Sequence, residues 1–189
     1  MATYLIRHTT PTGAEGTCYG QTDLPLGANF AEEAEKVRGL CPEHIDKIYT
    51  SPLNRCVQLA RYLWPVKTIL TIDALKEMHF GEWEGKPWSE IDRGVLDAWM
   101  QDFVHAAVPG GESYVLLQQR VVAWWEAGIQ TIVRNSDDTI IITHAGVIRS
   151  LLCHCTGIPL AASFDRIPVP FGAVYRLEEE NGRWETRLL

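Results

Sequence analysis

Positive charge is scarce in this chain. Seventeen lysines and arginines stand against 24 aspartates and glutamates, a formal net charge of -7 at pH 7. Nucleic-acid binders carry a basic face, so that class is excluded, and anionic membrane surfaces are disfavoured on the same ground. No apolar run approaches the ~18 residues of a membrane span. The amino terminus lacks a basic segment leading into an apolar core of a signal peptide, so the expected compartment is the cytoplasm. The five cysteines, Cys18, Cys41, Cys56, Cys153 and Cys155, are odd in number and irregular in spacing. That fits reduced thiols and not a disulfide framework. Cys153-His154-Cys155 lies in the apolar run SLLCHCTGI and reads as small buried thiols. Histidine spacings typical of zinc sites (His-x-His, His-Glu-x-x-His) are missing too, so no metal and no cofactor is expected. There is no repeat, low-complexity tract or linker, so residues 1–189 are read as one domain.

Present instead are four short apolar runs, TYLIR (3–7), KIYTS (47–51), TILTI (68–72) and TIIIT (139–143). They are β-branched and bounded by polar or turn residues, which predicts strands buried on both faces. Helical spacing occupies 31–40, 53–64, 88–106 and 113–133, and AGVIRSLLCHCTG follows the fourth run. The tail predicts a hairpin with Asn181-Gly182 at its turn. Strands alternating with helices imply an α/β fold, a mostly parallel sheet covered on both sides.

Ligands of open parallel sheets bind beyond the carboxyl ends of the strands, so the residues following each strand are the ones to inspect. Arg7 and His8 follow the first, and Ser51-Pro52-Leu53-Asn54-Arg55 the second. Ala74-Leu75-Lys76-Glu77 follows the third and His144-Ala145-Gly146 the fourth. Two histidines, two arginines and a glutamate thus meet on one edge. Ser51 is predicted as a helix N-cap with Pro52 as the first helical residue. Arg55 then sits in the opening turn, where the helix dipole disfavours a cation by ~0.3–1 kcal/mol, and a bound anion would remove the conflict. His8, at a strand end, is read as exposed and loosely packed.

These residue types suit phosphoryl transfer. Arginine gives a phosphate dianion planar, permanently charged donors, each bond worth ~1.5–3 kcal/mol. A neutral imidazole can attack phosphorus, and a second, protonated imidazole can stabilise the equatorial oxygens. A carboxylic acid can protonate the leaving group, with Glu77 best placed and Glu82 and Glu84 as alternatives.

Five segments in this order, LIRH, SPLNR, LKEMHFGEWEG, PGGES (with Arg120 after it) and THAGVIR, resemble the histidine phosphatase superfamily, also called phosphoglycerate mutase-like. The resemblance implies a three-layer α/β/α sandwich with a mostly parallel central sheet. It implies His8 as phosphorylated nucleophile, Arg7, Arg55 and His144 as phosphate ligands, Glu77 as proton donor, and no metal. The family usually has glycine after the nucleophile, where this chain has Thr9, and its usual downstream asparagine has no clear counterpart in TTPTGAEG. The stretch RHTTPTGAEGTCYGQTDLPL is further similar to the α-ribazole phosphatase branch, which implies Gly20, Gln21 and Thr22 beside the phosphate and sugar. Asp23 is read as fixing its own turn.

The implied partner is a small-molecule phosphomonoester; oligomeric state is not readable. Within the enzyme class the alternatives are a broader sugar-phosphate phosphatase or a phosphoglycerate mutase. Outside it stands a phosphate-binding module without turnover. Most tryptophans, Trp99, Trp124 and Trp125 among them, read as core, while Trp83, Trp88 or Tyr19 can face the substrate. His44, His105 and His154 read as surface or helix-packing residues, and His79, two residues from Glu77, is read as no metal ligand.

Overall fold

The computed structural model describes residues 2–129 and 138–189. β1 (Thr3–Arg7), β2 (Lys47–Thr50), β3 (Ile69–Thr71) and β4 (Thr139–Thr143) run parallel, while β5 (Val174–Glu180) and β6 (Arg183–Leu188) close one side as an antiparallel hairpin. The order across the sheet is β3-β2-β4-β1-β5-β6. The chain leaves β1, crosses to β2 and later returns with β4 in between, so β1 and β4 lie side by side at the point where strand order reverses. A crevice at the strand ends follows from that topology.

Side-chain alternation along the strands divides the core into two layers. Tyr4, Ile6, Ile48, Ile140, Ile142 and Val174 face α1 (Phe30–Gly39) and α2 (Asn54–Leu63). On the other face, Leu5, Tyr49, Ile141 and Leu177 pack against α4 (Tyr114–Trp124) and α5 (Ala145–Thr156). This is the three-layer α/β/α sandwich with a mixed, mostly parallel sheet. α3 (Arg93–Gln101) is different. Asp92 caps it by accepting from Val95 N at 3.0 Å, yet none of its side chains is fully buried. A four-residue helix, α6 (Ser163–Arg166), follows α5.

Several expectations need correction. β3 is an edge strand with Leu70 and Thr71 exposed, and not a strand buried on both faces; apolar content cannot report a missing neighbour. The helix predicted over 88–106 is a 3₁₀ turn (Trp88–Glu90) followed by α3. The helix predicted over 113–133 is regular only to Trp124 and continues as a π turn, Trp125–Ile129, with Gly128 at φ 130°; Ile132 and Val133 lie outside the described residues. The hairpin turn has Asn181 at φ 53° and Gly182 at φ 77°, as a primed turn requires.

PGGES serves a backbone-to-backbone fit. Glu82 N donates to Pro109 O at 2.9 Å and Glu112 N to His79 O at 2.9 Å. Gly81 has φ +50°, and a Cβ on it would collide with the Pro109 carbonyl and the Gly111 nitrogen, whereas Gly85 at φ +79° faces open space. Gly85→Ala is therefore expected to cost only left-handed strain, about 1–2 kcal/mol. Gly81→Ala should cost about 3 kcal/mol or more. Thermal melts of the two variants check this, and equal losses would contradict the fit.

Candidate active site

The sheet edge converges three chain segments because its backbone ladder continues past the strands. His8 N donates to Thr143 O at 3.1 Å and Ser51 N to Ile142 O at 2.9 Å, so His8, Ser51 and His144 emerge in register. Thr143 Oγ1 donates to Leu75 O at 2.7 Å, drawing in the turn that leads to Glu77.

Arg55 joins the two histidines. Its Nε donates to His8 Nε2 at 3.2 Å, and its Nη2 lies 3.2 Å from His144 Nδ1. A guanidinium can only donate, so both of those ring nitrogens act as acceptors. The His8 Nδ1 lies 2.7 Å from the Thr9 carbonyl, an acceptor, and therefore carries the proton. His144 Nε2, 2.8 Å from Ser51 Oγ, is likewise the protonated nitrogen of its ring. The ring centroids are 5.1 Å apart. Burial, reinforced by Arg55, holds both imidazoles well below the ordinary histidine range. The protonated second imidazole expected from sequence is thus neutral in the unliganded protein, because burial penalises its charged form and the nearby Arg55 adds to that. His8 is 1% exposed, packed against Phe171, and not the loosely held strand-end residue expected.

Thr9 is buried at negative φ, so the β-branched residue that replaces the family's usual glycine occupies ordinary backbone space. Its carbonyl sets the His8 tautomer.

Arg7 donates through Nη1 to Val169 O at 2.6 Å and lies over the Phe171 ring at 3.7 Å. Its Nε is buried without a hydrogen-bond partner. The residue lines a cavity of about 280 Å³ with Tyr19, Gly20, Glu77, Trp88 and Phe171. Glu77 is half-buried; its oxygens accept from Met78 N (3.0 Å) and from Gly146 N at the start of α5 (3.2 Å). Arg120 fixes the backbone behind it, donating to Ala74 O, Lys76 O and Glu77 O at 2.6–2.9 Å and pairing with Glu112.

The loop before α1 differs from expectation. Gly20, at φ +35°, packs where a Cβ would strike the Met78 carbonyl, and its own carbonyl accepts from Arg55 Nη2 at 2.6 Å. Gln21 Nε2 donates to Glu77 O at 3.0 Å, and Thr22 Oγ1 to Glu84 at 2.6 Å. The donors expected to meet substrate are thus engaged within the protein, while the Thr22 carbonyl accepts from Arg55 Nη1 at 3.0 Å. Glu84 also accepts from Gln21 N and Phe80 N at 3.0 Å, so it is a loop anchor rather than a free acid.

Ser51 does not cap α2, whose N-cap is Leu53. Asp23 from the loop caps it from outside, accepting from Asn54 N at 2.8 Å and lying 3.7 Å from Arg55 Nη1. It does not merely fix its own turn.

Trp83 is buried, whereas Trp88 and Tyr19 line the cavity. Tyr19 also presents its ring to Arg55 at 5.1 Å. His79 is exposed, and His105 and His154 pair with Asp102 and Glu126 away from the cavity. Phe171 and Cys56, whose Sγ lies 3.6 Å from His144 Nε2, belong to the site and carried no signal in sequence.

Depressed histidine pKa values make stability pH-dependent with a definite sign. The unfolded chain binds protons at about pH 6.5 and the folded one only at lower pH. The stabilisation is complete above about 6.5 and declines as pH falls below it. In phosphate-free buffer, Tm is expected to drop between pH 7 and pH 5, and less steeply in His8→Gln; parallel, flat profiles would contradict the buried neutral pair.

A family model described as histidine phosphatase superfamily (branch 1) matches residues 3–189. A protein of Hydrogenobacter thermophilus, provisionally named phosphoserine phosphatase 2, is 31% identical over 166 residues, covering 83% of this chain and 79% of that one. A 2,3-bisphosphoglycerate-dependent phosphoglycerate mutase of Cytophaga hutchinsonii is 28% identical over 138 residues, covering 69% of this chain and 63% of that one. The crystal structure of the α-ribazole phosphatase from Shigella flexneri superimposes with a TM-score of 0.88 at 26% identity, covering 100% of this chain and 96% of that one. With that match along nearly its whole length and the same three-layer fold, the chain belongs to the histidine phosphatase superfamily, branch 1.

Proposed function

We propose that the protein is a phosphomonoesterase working through a phosphohistidine on His8, with α-ribazole 5′-phosphate as its substrate in assembly of the cobalamin lower ligand. The observation that carries the chemistry is the His8 tautomer. Its Nδ1–H is committed to the Thr9 carbonyl, so the lone pair is on Nε2, the nitrogen facing Arg55 and His144.

In this mechanism the dianion enters beside Arg7 and Arg55. Arg55 transfers its Nε donor from His8 to a phosphoryl oxygen, which frees the lone pair for attack. His8 Nε2 bonds to phosphorus as the ester oxygen leaves with a proton from Glu77. The imidazolium that forms keeps its Nδ1–H on the Thr9 carbonyl. Bound phosphate also removes the electrostatic objection to a protonated His144, which can then donate to an equatorial oxygen. In the second half, Glu77 takes a proton from water, the oxygen bonds to phosphorus, the N–P bond breaks, and inorganic phosphate departs. Gly20, Gln21 and Thr22 serve by holding the carbonyls that support Arg55.

The substrate assignment is supported by the CYGQTDLPL loop and by the likeness to the Shigella flexneri α-ribazole phosphatase. The likeness to a phosphoserine phosphatase favours a second reading, a compact amino-acid or sugar phosphate. A cytoplasmic setting fits five free thiols.

Metal-free protein is expected to hydrolyse α-ribazole 5′-phosphate with higher kcat/KM than phosphoserine or 3-phosphoglycerate, and the reverse order would favour the second reading. His8→Ala should lose acid-labile, base-stable phosphoryl labelling together with turnover; labelling that persists would remove His8 from the nucleophile's role. Glu77→Gln should slow alkyl phosphates by ~10²-fold or more and aryl phosphates far less, because phenolate leaves without a proton. Equal losses would contradict the donor role.

A further inference from the structure

We infer that the leaving group seats in an aromatic groove between α3 and α6, and that the site selects flat, apolar leaving groups over compact acids. This rests on the phosphomonoesterase reading above and extends it to the other half of the substrate.

Two further cavities adjoin the one holding Arg7. One, of about 180 Å³, shares Glu77 and Phe80 with it and is lined also by Trp99, Phe103 and Phe164. The other, of about 770 Å³, shares Phe80 and Trp88 with the first and lies between α3 and α6. Phe80 borders all three spaces. Whatever is attached to a phosphate held by Arg7 therefore lies beside Glu77, the group assigned to protonate the leaving oxygen, with the groove on the other side of Phe80 and Trp88. The volume of the groove between α3 and α6 lies within the ~300–1,000 Å³ of small-molecule sites. A three-carbon acid would leave most of this space unfilled.

The walls name the chemistry. Trp88, Phe80, Trp99, Phe103 and Phe164 form a chain of edge-on rings, with centroids 5.7, 6.3, 6.4 and 5.4 Å apart in succession. Planar apolar groups pack against such rings through offset and edge contacts. Phe164 is 54% exposed and Met100 59% exposed, an apolar surface that water meets at a disadvantage. Arg93 pairs with Asp97 at 3.0 Å, and Arg149 donates to Ile167 O at 3.0 Å with its guanidinium 4.5 Å from the Phe164 centroid. Asp165, also at the rim, repels a carboxylate. α3, with no fully buried side chain, forms one wall. Another macromolecule is the less suitable occupant, since the groove shares two of its walls, Phe80 and Trp88, with the cavity beside Glu77 and Arg7.

The test compares 2-naphthyl with phenyl phosphate, whose leaving groups have similar acidity but differ by one ring. Wild-type kcat/KM is expected to favour naphthyl by roughly 10-fold, within the 10–200-fold range of pocket discrimination. Phe164→Ala should bring the ratio near unity, and Met100→Ala should lower it. Leu116→Ala, an exposed apolar residue outside the groove, should keep it. Melting curves identify any variant that fails to fold, and Met100, more exposed than Phe164, is the safer of the two. Hydrolysis of both esters with no ring preference, or a preference untouched by both groove variants, would overturn this inference while leaving the phosphatase standing. Release of phosphate from neither ester would overturn both.

Discussion

A guanidinium with no exposure to solvent lies between two imidazoles, and the site is arranged around carrying its charge. The carboxylate paired with Arg55 is that of the half-exposed Asp23, at 3.7 Å. The other partners of Arg55 are the carbonyls of Gly20 and Thr22, the Tyr19 ring and two neutral histidine nitrogens. A buried charge so lightly compensated is costly in the unliganded fold. In the proposed reaction that cost falls when the phosphate dianion arrives, and the positive field that would receive it is local and enclosed despite the chain's net negative charge.

The supporting parts follow from the same need. The loop over Gly20–Thr22 must present carbonyls inward, so its side-chain and amide donors go to Glu84 and to the Glu77 backbone. Asp23 serves twice, capping α2 and facing Arg55. The glycines of PGGES bring one backbone against another, and Arg120 gathers three carbonyls leading to Glu77. The proposed phosphate ligands and the proposed proton donor are thus tied together through the backbone between Glu77 and Glu84.

Much of this was legible in the amino-acid order. β1 and β4 match TYLIR and TIIIT residue for residue, since β-branched runs buried on both faces permit little else. The convergence of Arg7, His8, Arg55 and His144 follows from parallel topology, which brings strand ends together wherever they occur in sequence. What sequence hid is long-range partnership. The cap of α2 comes from Asp23, 31 residues before Asn54, so the local Ser51-Pro52 signal misplaced the helix start. Gln21 and Thr22 look like free donors until Glu77 and Glu84 are seen to receive them. Trp99 has core spacing and packs, half-buried, against the core, and its ring also lines the groove, which the spacing did not show. Nothing in TILTI declares that β3 has only one neighbour.

The central claim is that burial, reinforced by Arg55, keeps both imidazoles neutral, with the His8 lone pair on Nε2, until phosphate draws the Arg55 donors away. Nitrogen-15 NMR of histidine-labelled protein reads that state directly. Without phosphate at neutral pH, His8 is expected as the Nδ1–H tautomer and His144 as the Nε2–H tautomer; adding phosphate should shift both, with His144 moving toward the protonated form. A His8 that carries its proton on Nε2, or a doubly protonated imidazole at either position before phosphate is added, would contradict the account.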